Sequence, residues 1–481
     1  MRNFIKNTVK GLVLSTLAVS LMTSCGKDFL NIEPELSIPE EFVFSSAERV
    51  EAQVNGLYAS IKDGQFYGGR YLIYNDIRAE EFMNRVANNV TGYSTYQFSN
   101  DESDQYIANF WIRGYLTINR VNKFLEAIEP IGTTVLDAQT KAEYIGEAKF
   151  IRALTYYSLV QLFAKPYAAN AGESVGIPLR LQAETSSANN NLAPSKVKEI
   201  YDQILKDLND AESSVPADYG NNNSNATRVH KNAVIAYKTR VLLAKKDYAA
   251  VITEANKMVS ASAPFQATSG VKHTLATDIT KVFTSNTDLE RVLSFPFTST
   301  NVPGTQNQLG YYYNEGNVEY YLNDKAPAVY ASTDWGKDDI RRTKLTGQSK
   351  AGNKILTKFS AVSPFLDWIP VIRYAEVLLN LAEAEAEAGS LTRAEALLKA
   401  VRLRSDASYT FGNLGTKSNV INAILLERRI EFLGEGFRVP DLQRRNEAIY
   451  SVGAGTTIQP TEARYVFPIP TVELVTNLDV K

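Results

Sequence analysis

Apolar residues recur at helical spacing along most of the chain, and two long polar and aromatic stretches interrupt them. Between Ser45 and Lys62, the residues Val50, Val54, Leu57, Tyr58 and Ile61 share one helical face. The period returns over Ile107–Ile128 with Phe110, Trp111, Ile118, Val121 and Leu125. Glu143–Phe163 is a further helical run, which Pro166 stops because it carries no amide hydrogen and fixes its own φ. The first interruption, Asp63–Asp104, is rich in Gly, Asn and Tyr and reads as a long irregular loop, a feature uncommon unless it has a use.

Residues 164–194 turn to Ala, Asn, Ser and Pro, a surface-loop composition. Ser195 then stands where an N-cap belongs for the helix VKEIYDQILKDL, with Glu199 placed for a capping box. A polar run, Asp218–Asn225, breaks the pattern again. Val229–Lys245 and Tyr248–Ser260, joined by a turn at Lys246-Asp247, then form a helix pair. Their small residues Ala236, Ala244, Ala250 and Ala255, and Pro264 beyond, match a tetratricopeptide repeat of about 34 residues. Tyr374–Arg404 repeats the pattern with Ala382, Gly389, Ala394 and Leu398. Stacked pairs of this kind bury a continuous core. Between the repeats, residues 265–368 lose the rhythm, and only Val292–Phe297 reads as a strand, so an irregular lobe is expected. Leu425–Arg445 predicts a charged helix, a glycine-broken end at Leu433-Gly434-Glu435-Gly436 and a short further helix. The tail from Tyr450 to Lys481, with its FPIP at 467–470, reads as loop.

The N-terminus is a processing signal. Arg2, Lys6 and Lys10 precede an apolar Gly11–Met22, too short to span a bilayer comfortably, and Leu21-Met22-Thr23-Ser24-Cys25 closes it in the manner of a bacterial lipobox. Cys25, the only cysteine, is expected to become the first mature residue and to carry lipid, with residues 25–42 as the tether. Loss of residues 1–24 removes three cations and no acid, which moves the net charge from −2 to −5.

Composition changes the picture in one respect. Lys+Arg 51 against Asp+Glu 53 leaves no basic excess for nucleic acid. The 26 Tyr and 21 Phe, beside 3 Trp and 2 His, are the unusual count. A tyrosine joins an apolar face to a hydroxyl, which suits both packing between helices and stacking on a polar ligand.

Catalytic and metal chemistry find little support. His230 and His273 lie far apart without metal-ligand spacing, so His230 reads as a cap or surface residue, and the one cysteine is committed to lipid. Glu80-Glu81 and Asp338-Asp339 are candidate carboxylate pairs, but a solvated face explains them. Asp101-Glu102-Ser103-Asp104 lacks the glycine and spacing of a calcium loop and reads as the capped start of the next helix. No cofactor is expected. Arg428, Arg429, Glu431, Glu435, Arg438 and Asp441 read as a buried or half-buried ion network that orders helix ends.

Five segments in order resemble the SusD/RagB family of outer-membrane nutrient-binding lipoproteins. They are the lipobox with CGKDFL, EAKFIRALTYYSLVQLFAKP at 147–166, RYAEVLLNLAEAEAEAG at 373–389, ERRIEFLGEGFRVPDLQR at 427–444 and YVFPIPTVEL at 465–474. Val439-Pro440 stands where the family commonly has an aromatic pair. The resemblance implies a mainly α, SusD-like single domain over 43–481, with about four tetratricopeptide-like helix pairs and a loop-rich lobe built from the insertions at 63–104 and 265–368. It also implies an outer-membrane lipoprotein, a SusC-like TonB-dependent transporter as partner and an oligosaccharide or peptide as ligand, without enzymatic activity. A sugar presents a flat apolar face and a rim of hydroxyls, so its site needs exposed rings beside amides or charges. The first insertion offers Tyr67, Arg70, Tyr71, Tyr74, Asn75, Asp76, Tyr93 and Tyr96; the second offers Tyr311, Tyr312, Tyr313, Asn314, Tyr320, Tyr321 and Trp335. The low Trp count leaves a peptide ligand open, and a scaffold that only stabilises its transporter is the alternative of another class.

Overall fold

The computed structural model describes residues 42–361 and 363–480; the leader at 1–24, Cys25 and nearly all of the 25–42 tether lie outside them. Residues 42–50 belong to a unit of their own, with a turn closed by the Ser45 N–H on the Phe42 carbonyl. From Glu51 onward the chain is one unit, mainly helical.

The principal helices are α1 (Ala47–Ile61), α2 (Arg70–Ile77), α3 (Gln105–Ile128), α4 (Ala138–Phe163), α5 (Val197–Ser214), α6 (Lys231–Ala244), α7 (Tyr248–Ala255), α8 (Tyr374–Ala388), α9 (Leu391–Ser405), α10 (Lys417–Glu431), α11 (Arg438–Arg444) and α12 (Thr471–Thr476). They stack in sequence: α3 on α4, α4 on α5, α5 on α6, α6 on α7, α7 on α8, and α8 on both α9 and α10. A helix with neighbours on both sides cannot keep a polar face. From Phe150 to Val160, α4 is buried without a break, and α8 is buried from Tyr374 to Ala386. Small residues allow the close approach, as at Gly114 of α3, where a Cβ would lie 2.9 Å from the Leu159 methyls of α4.

Among the described residues, sheet is limited to five two-stranded ladders. Two of them anchor the insertions: β1 (Phe82–Asn84) pairs antiparallel with β3 (Tyr320–Leu322), and β2 (Arg291–Phe295) with β4 (Ile369–Arg373). The first ladder, in register Phe82↔Leu322, ties one insertion to the other.

Several local expectations are corrected. Residues 63–104 are not a loop: they contain α2, every residue of which is buried, together with β1 and a short helix at Tyr93–Tyr96. The α5 cap is Lys196, one residue later than Ser195; its N–H donates to Glu199 at 2.8 Å, and its side chain, which has no acceptor, leaves the other half of the box unmade. The tail contains β-structure and α12. His230 does occupy the N-cap position of α6, but its side chain caps nothing and is buried. It stacks on His273 at 5.2 Å, and each ring donates one N–H to a carbonyl, Val292 at 3.1 Å and Leu289 at 2.9 Å. Asp104 caps α3 as expected, accepting from the Tyr106 and Ile107 amides. Val439 fills a core with Ala79, Phe98, Leu442, Ile449 and Tyr465.

Candidate functional site

The two insertions meet, and most of the residues expected to line a site form the seam between them. Arg70 donates to Asn307 at 2.7 Å and to the Tyr74 hydroxyl at 2.9 Å. Asp76 accepts from the Tyr313 hydroxyl and from the Gly436 N–H, both at 3.0 Å. Burial pushes the Asp76 carboxyl well above the usual carboxylate range, although these two hydrogen bonds act in the opposite direction. Tyr312 stacks on Tyr320 at 5.9 Å, Tyr313 on Phe82 at 4.7 Å, and Tyr320 meets Tyr96 edge-on at 5.8 Å. Asn75 donates to the Tyr71 carbonyl, and Tyr67 stacks on Tyr71 at 4.9 Å. Tyr67 and Tyr71 border a cavity of about 30 Å³ beside Arg240 and Phe437, room for little more than water. Trp335 lies apart, packed on Tyr330 and under Arg342.

Of the fifteen candidates the two insertions offer, twelve are buried, Tyr96 and Asn314 the most accessible of them at 7%, and Tyr93, Tyr311 and Tyr321 are half-buried. The buried ones do not form an open platform in this structure. The two insertions do meet, and their rings are spent on holding them together: each large aromatic side chain gains more from leaving water than an exposed position would give it.

The rim of the seam is open. Tyr93 and Tyr321 are half-buried, and Tyr93 stacks on Tyr96 at 6.2 Å. Burial raises the Tyr96 hydroxyl pKa, and the neighbouring Tyr321 and Tyr93 hydroxyls push the same way. Gln97 donates to the Tyr93 hydroxyl at 3.0 Å. The Asn84 Nδ2, buried beside the Tyr320 hydroxyl, lacks a hydrogen-bond partner of good geometry. Half-buried rings with the Gln97 amide at their edge can hold a planar or pyranose face and meet its hydroxyls, whereas the Asn84 amide, its Oδ1 accepting from the Val86 and Ala87 N–H groups, braces the seam. Tyr93 and Tyr321 follow from the tyrosine excess, whereas Asn84 and Gln97 carry no sequence signal of their own.

The carboxylate pairs are not catalytic pairs. Glu80 and Glu81 are buried, not solvated, and are matched by Arg429 and Arg438 at 2.6 to 3.0 Å. Asp339 is buried against Arg341 at 2.7 Å. Arg428, Glu431, Glu435 and Asp441 do join ion networks, as expected, and the structure enlarges them with Glu290, Arg341, Lys358, Arg373, Arg402 and Arg404. No group of three metal-ligating side chains occurs among the described residues.

Residues 28–243 match a family described as starch-binding associating with outer membrane, and residues 305–481 match the SusD family. The fold superposes on a SusD superfamily protein from Bacteroides fragilis with a TM-score of 0.82 at 34% identity, covering 91% of this chain and 100% of that one. A laminarin-binding SusD-like protein superposes with a TM-score of 0.71 at 20% identity, over 91% of this chain and 98% of the other. SusD-like protein P38 of Formosa agariphila is 25% identical over 99% of this chain and 98% of its own length.

Proposed function

This chain belongs to the SusD/RagB family, and we propose from that membership that it is a cell-surface lipoprotein that binds a nutrient oligosaccharide and hands it to a SusC-like TonB-dependent outer-membrane transporter. The single observation that carries the oligosaccharide is the tyrosine rim, with half-buried Tyr93 and Tyr321 beside the buried Tyr96 and the Gln97 amide at its edge. A stacking surface bordered by an amide fits a neutral glycan better than an extended peptide, which asks for a free sheet edge or a charged groove. That a protein of this fold binds laminarin supports a glucan-type ligand. The seam residues Arg70, Tyr74, Asp76, Tyr312 and Tyr320 enter this reading as the support that positions the rim, not as contacts. The family consists of binding proteins, and no reaction on the glycan is proposed.

Titration calorimetry of the mature protein against a panel of oligosaccharides and peptides is the test. Micromolar binding of at least one glycan is expected; binding of peptides alone would replace the ligand class, and no binding of either would favour the scaffold role. Attachment through Cys25 is tested separately by Cys25→Ser, which should move the protein from the membrane fraction to the soluble one.

A further inference from the structure

The helix α12, the outer face of α3 and the 180–190 loop leave between them a cleft of about 310 Å³, built from elements other than those of the rim. Its two walls differ in kind. One is apolar, with Ile112 and Leu116 from α3 and Val472 from α12; Ile112 and Val472 are 42% and 38% exposed. Behind it the Trp111 and Tyr115 rings meet at 4.8 Å. The opposite wall carries Arg180, Gln182, Glu184 and Asn190.

The polar wall is held in place before any ligand arrives. Asn119 donates to the Glu184 carbonyl at 2.9 Å and accepts the Glu184 N–H at 2.8 Å. Asn122 donates to the carbonyls of Arg180 and Gln182 at 3.1 and 3.0 Å, and the Tyr115 hydroxyl to that of Pro178 at 2.8 Å. Asn477, at the end of α12, exchanges two hydrogen bonds of 2.9 Å with the Leu192 backbone, and the Trp111 indole donates to Glu473 at 3.1 Å. A wall braced in this way loses little freedom on binding.

Charge narrows the ligand. The Arg180 guanidinium is already committed to Glu184, to Glu473 at 3.7 Å and to the carbonyls of Asn189 and Asn190. One cation therefore faces two carboxylates, and an acidic ligand meets an excess of negative charge. The side-chain amides of Gln182 and Asn190 make no hydrogen bond among the described residues and are free to donate and accept. A space with one apolar and one hydrogen-bonding wall suits a pyranose ring, and a cleft near the lower end of the ~300–1,000 Å³ of ligand sites takes one or two such rings.

We propose that this cleft is a second carbohydrate site, taking one or two neutral sugar units. The class of ligand rests on the proposed carbohydrate-binding function; the position rests on the cleft itself. Calorimetric titration of the mature protein with maltose, cellobiose and digalacturonate tests it, with three variants: Gln182→Ala, Ile112→Trp, which fills the cleft, and Tyr321→Ala in the rim. Expected is binding of a neutral disaccharide and none of digalacturonate. Gln182→Ala should weaken it about three- to ten-fold, the worth of one hydrogen bond. In the Tyr321→Ala background, where the rim is weakened, Ile112→Trp should abolish the disaccharide binding that remains. Gln182 is exposed, so its variant remains informative if Ile112→Trp does not fold. Disaccharide binding that survives both cleft variants and disappears in Tyr321→Ala overturns the second site and leaves the proposed function standing. Longer glycans that bind with no dependence on Gln182 or Ile112, or digalacturonate bound as well as the neutral sugars, overturn it in the same way. Failure of every sugar, of any length, removes both.

Discussion

Arg373 at the end of β4 and Glu431 at the end of α10, 58 positions apart in the chain, meet at 2.9 Å in the interior, and neither is more than 2% exposed. Glu431 also holds Arg341 at 2.8 Å and Arg404 at 2.7 Å, and Arg373 reaches Glu435 at 2.8 Å and also pairs with Glu290. Burial alone would push the Glu431 carboxyl up; Arg404, Arg373 and Arg341 hold it well below the usual range.

Replacing Arg373 by Met leaves Glu290, Glu431 and Glu435 short of a cation inside the protein, and breaking a buried network in this way costs about 3–5 kcal/mol. Urea unfolding of Arg373→Met should show a loss of that order. The exposed pair Lys198–Asp202, each side chain 49% accessible, should cost far less when Lys198 becomes Ala, because water screens it. Equal losses in the two variants would refute the distinction.

Acid should weaken the fold in two stages. Burial first, then for His230 the His273 ring, lowers His230 to about 3, and burial lowers His273 to about 4. The unfolded chain therefore binds protons from about pH 6.5 that the folded one refuses, and stability falls as pH drops below that value. Asp441 is held at about 2 by Arg428 and Arg444 against the opposing effect of burial, so its contribution is present above about pH 4 and is lost between pH 4 and 2. Melting curves from pH 7.5 to 3 should decline throughout the lower range. His230→Gln with His273→Gln should flatten the segment between pH 6.5 and 4, and an unchanged slope there would contradict the assignment.

Gly436 has φ of 77°, and a Cβ at this position would stand 2.7 Å from the Leu72 Cα, a backbone atom that cannot step aside. Gly436→Ala should destabilise the protein by roughly 2 kcal/mol or more, since both the conformation and the contact oppose the methyl. Its N–H bond to Asp76 ties the end of the charged helix to α2, so hydrogen exchange should rise in α2 as well. A variant that melts with the wild type would show that the turn relaxes freely.

Tyr74 and Tyr321 separate packing from binding. Tyr74 is fully buried, hydrogen-bonded to Arg70 and edge-on to Phe467, and Tyr74→Ala should cost about 3–5 kcal/mol of stability. The half-exposed Tyr321→Ala should leave melting within about a degree or two and lower affinity for the glycan at the rim by roughly ten-fold, the value of one lost stacking contact. Calorimetry and melting on the same samples check both, and a reversal of the pattern would move the ligand into the seam.

Helix placement is legible in the sequence wherever one apolar face is needed. The runs ending at Ile61, Ile128 and Phe163, and the pairs α6–α7 and α8–α9, lie within a few residues of where periodicity and proline put them. The α2 segment escapes such a reading because a helix buried on every side shows no alternation of apolar and polar positions; in RYLIYNDI, Arg70 and Asp76 find partners on distant segments, at Asn307 and Gly436. Glu80 and Glu81 illustrate the same difficulty: adjacent carboxylates look solvated until Arg429 and Arg438, about 350 residues later, are folded onto them.

The sequence by itself determined the long helices with one apolar face, the repeat pairs, the charged keystone around Glu431 and the family, because each depends on spacing within a short stretch or on the order of a few motifs. Only the tertiary structure decided which tyrosines are spent in the seam and which remain at its rim, and it alone disclosed the cleft beside α12. Those properties depend on accessibility, and accessibility is set by which remote segments come to lie on top of a side chain, a quantity that no local pattern of residues contains.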